Sequence, residues 1–196
     1  MKPVFFDIDT QIDFMYPAGA LYAPGAERIL QGIAQLNRFA AERGIAVIST
    51  VDAHAEDDAE FRSWPPHCVA GTVGQLKPAA TLLENRIVVP NRLCELSLEG
   101  ARQIVVEKQT LDVFDTCTIG RLLERLRAER YVVYGVATEI CVKRAAFGLL
   151  KTGKPATLIT DAVKGIAASD CARTFEEFQA AGGSLAAIGE ICESLR

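Results

Sequence analysis

The chain has 196 residues, 49% of them hydrophobic and 23% charged, with a net charge of −4. That suffices for one domain with a full core, and no stretch is polar enough to read as a disordered tail. The acidic balance argues against a nucleic-acid or anionic-membrane partner, which asks for a basic face, and no apolar run approaches the roughly 18 residues of a membrane span.

The predicted elements alternate. "PVFFDID" (3–9) is a short apolar run ending in acid, a buried strand. In "GAERILQGIAQLNRFAAERG" (25–44) the residues Ile29, Leu30, Ile33, Leu36 and Phe39 recur at helical spacing, and Gly44 is a stop. "IAVISTVD" (45–52) and "RQIVVEK" (102–108) read as the second and third strands. "TIGRLLERLRAER" (118–130) is an amphipathic helix, "YVVYGVA" (131–137) a fourth strand, and "EICVKRAAFGLLKTG" (139–153) a helix. "PATLITDA" (155–162), a helix over 169–182 and "SLAAIGE" (184–190) complete six strands. This order predicts an α/β fold in three layers: a roughly six-stranded parallel sheet of Rossmann type with helices on both faces.

Residues 1–196 are therefore read as one domain, interrupted by an excursion at about 53–101 that holds four of the eight prolines and one apolar run, "RIVVP" (86–90). Long excursions in compact domains tend to be functional. The six cysteines are widely spread without framework spacing, and "MKPVFFDIDTQIDF" turns acidic too early for a signal peptide. Free thiols and a cytoplasmic location are the expectation.

Ligands of an open parallel sheet bind outside the carboxyl ends of its strands. Those ends carry Asp9, then Asp52 and His54, then Lys108. The fourth strand leads through "GVATEIC" to Cys141, in the first turn of a helix, where free amides and the dipole favour thiolate. Asp7 and Asp13 have the same composition as Asp9 and compete with it for a role. The only two histidines, His54 and His67, both lie in "VDAHAEDDAEFRSWPPHC" (51–68) among carboxylates. Asp52 and His54, at i and i+2 on extended chain, point the same way, and a loop can return Glu60 and His67 to them. Two imidazoles with one or two carboxylates suit zinc, iron or manganese better than magnesium or calcium. With both histidines on a metal, no Cys–His or Ser–His–Asp machinery remains. The base for Cys141 must be a carboxylate, with Asp9 best placed, and Lys108 supplies positive charge.

"FFDIDTQIDF", "VDAH…E…SWPPHCVAGT", "EK" before "QTLDVF" and "GVATEICV" stand in the order found in isochorismatase-like cysteine hydrolases. The chain resembles their nicotinamidase/pyrazinamidase branch most closely, over nearly its whole length. The resemblance implies a catalytic triad of Asp9, Lys108 and Cys141 and a metal, zinc first, on Asp52, His54, Glu60 and His67. Many relatives carry histidine at the place of Glu60, and Asp57 or Asp58 are alternatives to it. It also implies an oxyanion hole from the amides of Ala137 and Cys141, shaped by a cis peptide between Val136 and Ala137, and a substrate pocket lined by Phe14 and Trp64. Ile12 departs from the asparagine usual in nicotinamidases. The implied activity is ammonia release from a small carboxamide through a thioester, in a homo-oligomer. A related hydrolase of N-carbamoyl compounds or ureides, or a metal-binding α/β domain without activity, are the alternatives.

Overall fold

Seven strands, not six, form the central sheet in the computed structural model, which describes residues 1–196. They are β1 (Pro3–Ile8), β2 (Ala46–Asp52), β3 (Arg86–Val89), β4 (Gln103–Lys108), β5 (Arg130–Val136), β6 (Ala156–Lys164) and β7 (Ser184–Ala186). All pairs are parallel, in the order β3-β4-β2-β1-β5-β6-β7. Helices α1 (Ile12–Met15), α2 (Leu30–Glu42), α3 (Ile119–Leu126), α4 (Lys143–Leu150), α5 (Ala168–Ala180) and α6 (Ile188–Ser194) flank it. None is long and apolar enough to cross a membrane.

All six residues of β1 are buried, as expected of a central parallel strand covered on both faces. Against that layer α2 turns Ile33, Leu36 and Ala40, spaced by three and four residues. Each large side chain fully buried this way contributes about 1.5–3 kcal/mol.

The structure departs from the sequence reading in four places. "RIVVP" is not merely a local run: Arg86–Val89 adds the edge strand β3 beside β4, with Ile87 opposite Ile104. The last strand stops at Ala186, and Ile188–Ser194 is a helix. Its start is held by Glu190, which accepts from the Ala187 amide at 2.7 Å, and by Asp161, which accepts from Ile188 at 2.9 Å. The helix over 118–130 ends at Leu126, because Arg127 turns left-handed (φ 49°) to feed β5. The helix expected from 139 opens as a π turn, Thr138–Val142, before α4 begins.

Sheet order places the site. The chain leaves β1 towards β2 on one side and returns through β5 on the other, so the crevice past these strands is the switch point where α/β sheets bind ligands.

Candidate active site

Four neighbouring strands, β4-β2-β1-β5, deliver the polar groups. Asp52 and Lys108 are the last residues of β2 and β4 and sit opposite each other in register. Asp9 follows β1 in a left-handed conformation (φ 48°), and its amide donates to the Thr50 carbonyl at 3.2 Å. The Thr50 hydroxyl donates to Asp9 Oδ1 at 2.6 Å. Lys108 Nζ lies 2.9 Å from Asp9 Oδ2, donates to the Thr110 carbonyl at 3.0 Å, and also donates to Asp52 Oδ1. Burial works against the lysine's charge, but Asp52 and Asp9 outweigh it and hold its pKa well above the ordinary value. One buried ammonium thus joins a strand-end acid on each side.

Cys141 reaches the same point from the π turn after β5. The approach depends on Gly135, whose φ is 122° and where an added Cβ would stand 2.1 Å from the Ile8 carbonyl oxygen. The Val136–Ala137 peptide is cis, and the Ala137 carbonyl accepts from the amides of Ile140 and Val142 at 3.1 Å each. The Cys141 thiol is buried close to Asp9 and Lys108. Here the expectation of a favoured thiolate is corrected. Burial pushes the thiol well above its ordinary pKa; Lys108 pulls it down, but Asp9 and Asp52 add to the rise. Desolvation opposes the helix terminus here and favours the thiol.

The histidine segment closes over the neighbouring strand end. After Asp52 the chain runs out and returns so that the His54 amide donates to the Cys68 carbonyl at 3.2 Å and Ala70 donates to His54 at 2.9 Å. His54 Nδ1 faces Asp58 Oδ2 at 3.0 Å, and His67 Nδ1 faces the Pro65 carbonyl at 2.8 Å. Both partners only accept, so each Nδ1 carries the proton and each Nε2 presents a lone pair. Those two Nε2 atoms lie 3.9 and 3.8 Å from Asp52 Oδ2, and 4.0 and 3.8 Å from Glu60 Oε1. His54 Nε2 and Glu60 Oε1 are buried without a hydrogen-bond partner. Acceptors converging on acceptors fit a cation between them, and ligand atoms of Asp52, His54 and His67 lie within 4.8 Å of one another.

Of the alternatives for a fourth ligand, Glu60 faces the shared space. Asp58 stands behind His54 and caps the short 3-10 helix Ala59–Arg62 by accepting from the Glu60 amide, while Asp57 is exposed. Burial raises the Asp52 carboxyl to about 7, against the pull of Lys108, and raises Glu60 as well. Burial lowers His67, keeping it neutral. Burial also pushes Asp58 up, but the Glu60 amide and His54 outweigh it and hold it below the usual range.

A pocket opens between the two groups, lined by Phe14 and Trp64 and by Asp52, Glu60, His67 and Cys141, with further apolar walls from residues that include Leu111 and Ile140. The sequence reading missed those walls, for single apolar residues in loops carry no signal. It also missed Gln11, whose amide group accepts from the Asp52 backbone N–H at 2.7 Å and donates to its carbonyl at 2.8 Å. A glutamine wedged between flagged acids in "DTQID" was the available hint. Asp13 turns away from the pocket, accepting from Ala20 at 3.0 Å and from Cys68 at 2.7 Å. Asp7 belongs to a separate buried network.

Known proteins are similar to this chain in sequence and in fold. A nicotinamidase of Escherichia coli (strain K12) is 27% identical, with 93% of each chain covered. A maleamate amidohydrolase of Pseudomonas putida is 26% identical over 83% of this chain and 72% of its own. The crystal structure of a pyrazinamidase of Pyrococcus horikoshii in complex with zinc superposes with a TM-score of 0.79 at 28% identity, covering 95% of this chain and 99% of that one. The isochorismatase domain family matches residues 3–189. That match spans the sheet, the cysteine turn and the histidine segment together, and the chain belongs to the isochorismatase family of hydrolases.

Proposed function

We propose that this chain is a metal-containing cysteine amidase that releases ammonia from a small, uncharged carboxamide, nicotinamide being the first candidate. The observation that carries this reading is that buried Cys141, beside the Asp9–Lys108 pair, lines the same pocket as Asp52, Glu60 and His67. In the reaction, Cys141 Sγ attacks the amide carbon as Asp9 takes the thiol proton, and the amides of Ala137 and Cys141 receive the developing oxyanion. Asp9 then passes that proton to nitrogen, the C–N bond breaks and ammonia leaves. Asp9 next takes a proton from water, hydroxide attacks the thioester, and the acid is released with the thiol restored. Lys108 keeps Asp9 aimed and its charge compensated throughout. Asp52, His54, Glu60 and His67 would hold a divalent transition metal, zinc first, which supplies a coordination point that orients a substrate's ring nitrogen or carbonyl.

The pocket's chemistry sorts substrates. None of its lining residues is lysine or arginine, and two of its polar groups are carboxylates. A substrate carrying its own carboxylate, such as maleamate or an N-carbamoyl amino acid, would find no lysine or arginine among the lining residues to pair with it, and only the metal could take its charge. A neutral aromatic amide suits the walls of Phe14 and Trp64. The test is ammonia release from nicotinamide, pyrazinamide, maleamate and an N-carbamoyl amino acid, with Cys141→Ala as control. Turnover of the neutral pair, lost in the control, is expected. Preference for the anionic pair overturns the substrate assignment, and silence on all four combined with an unreactive Cys141 overturns the enzyme reading.

A further inference from the structure

Asp7 and Lys77 form a buried ion pair that the chemistry above does not use; their side chains are 0% and 2% exposed, and Lys77 Nζ lies 3.0 Å from Asp7 Oδ2. Asn37 Nδ2 and Ser49 Oγ donate to the same carboxylate oxygen at 3.1 Å each. The other oxygen accepts from the Thr10 hydroxyl at 2.7 Å, and Thr10 Oγ1 in turn accepts from Lys77 Nζ. Thr10 is the residue after Asp9, and both of its hydroxyl roles, donor and acceptor, are filled.

The segment ending in Lys77 runs beside the one beginning with Thr10. Gln11 Nε2 donates to the Gln75 carbonyl at 2.8 Å, the Ile12 amide to Leu76 at 2.8 Å, and the Asp13 amide to Gly74 at 3.1 Å. Lys77 supplies the only charged link in this ladder. An internal ion pair contributes little net stability, since desolvation offsets its attraction; its best-attested use is to fix register. The register fixed here is that of the residues around Asp9, whose left-handed backbone an L side chain ordinarily avoids.

We propose that Thr10 and Lys77 are positioning residues: anchored on Asp7, they lock the turn that aims the Asp9 carboxylate at Cys141. The proposal rests on the assignment of Asp9 as the base for Cys141. A merely structural network would change melting temperature and leave the folded enzyme's rate alone. A positioning network changes kcat in fully folded, metal-loaded protein.

The variants are Thr10→Val, which keeps shape and removes the hydroxyl, Thr10→Ser, which restores it, and the pair Asp7→Asn/Lys77→Met, which removes both charges together. In Thr10→Val and in the double variant, kcat is expected to fall about 10- to 100-fold with KM and metal content little changed, and Thr10→Ser to recover most of the loss. The iodoacetamide labelling rate of Cys141, measured without any amide, is expected to shift in Thr10→Val and return in Thr10→Ser. Wild-type kcat and labelling in Thr10→Val and the double variant, whatever happens to their melting temperatures, overturn the proposal. A wild-type protein that hydrolyses no amide defeats the functional reading instead, and the labelling comparison still decides on positioning.

Discussion

In the proposed mechanism Cys141 is stored as a thiol and becomes a nucleophile as its proton leaves for Asp9. Burial outweighs Lys108 in setting that resting state, so iodoacetamide labelling in substrate-free protein should keep rising from neutral into alkaline pH. A plateau near pH 7 would show a standing thiolate and remove the need for Asp9 as acceptor. Cys141→Ala should cut kcat by about 10³-fold or more with folding and metal content preserved. The histidine side makes its own residue-scale prediction. Glu60 presents an oxygen 3.8 Å from His67 Nε2, whereas Asp58 acts through His54 Nδ1. Asp58→Asn should then weaken metal binding by about 10-fold, within the range seen when a ligand's hydrogen-bond partner is changed. Glu60→Gln should weaken it more, and Asp57→Asn should not register in a metal titration. Equal losses at the three positions would mean that Glu60 is misassigned as the fourth ligand.

Elements place these residues, and their legibility in the sequence was uneven for physical reasons. Strand runs such as "PVFFDID" and "IAVISTVD" are apolar because both sheet faces are covered, and that run-and-helix alternation is visible without coordinates. The acids and the lysine at their ends follow at once. β3 was harder, since Arg86 and Val88 face outwards and the exposed edge breaks the apolar pattern. The three-residue β7 is too short for periodicity, so the helix beginning at Ile188 was absorbed into it. The π turn has no sequence period of its own, and with it went the correct environment of Cys141. Gly135 is where element geometry becomes testable. Its φ of 122° and the 2.1 Å approach of a Cβ to the Ile8 oxygen leave no room for a side chain between β5 and β1. Gly135→Ala should cost more than about 2 kcal/mol in denaturant unfolding and lower kcat in whatever fraction still folds. A neutral Gly135→Ala would mean that β5 can retreat from β1 without disturbing the cysteine turn.

At the scale of the whole molecule, the excursion and the sheet are joined through the Asp52–His54–His67–Glu60 face, and Lys108 ties that face to Asp9. Metal binding and folding should therefore be linked, with a pH dependence set by the protons the metal displaces. Without metal, the Asp52 carboxyl is raised to about 7, above its unfolded value of 3.8. Between those values the folded state binds more protons than the unfolded one, so this group makes metal-free protein less stable as pH rises through the window. His67 acts oppositely: its pKa is lowered from 6.5, so its contribution is lost as pH falls below that value. Metal needs both groups deprotonated, and above about pH 7 both already are. Apparent metal affinity should accordingly be flat above about pH 7 and fall by about tenfold per pH unit below it for each proton displaced. The difference in melting temperature between metal-loaded and chelator-treated protein should widen from pH 5 to about pH 7 in step and then level off. Asp52→Asn separates the causes: it should weaken metal binding, and in metal-free protein it should abolish the loss of stability towards neutral pH while leaving the acid-side loss from His67. If metal-free Asp52→Asn follows the wild-type stability profile, the buried Asp52 proton does not govern the site, and the link between its titration and metal binding fails.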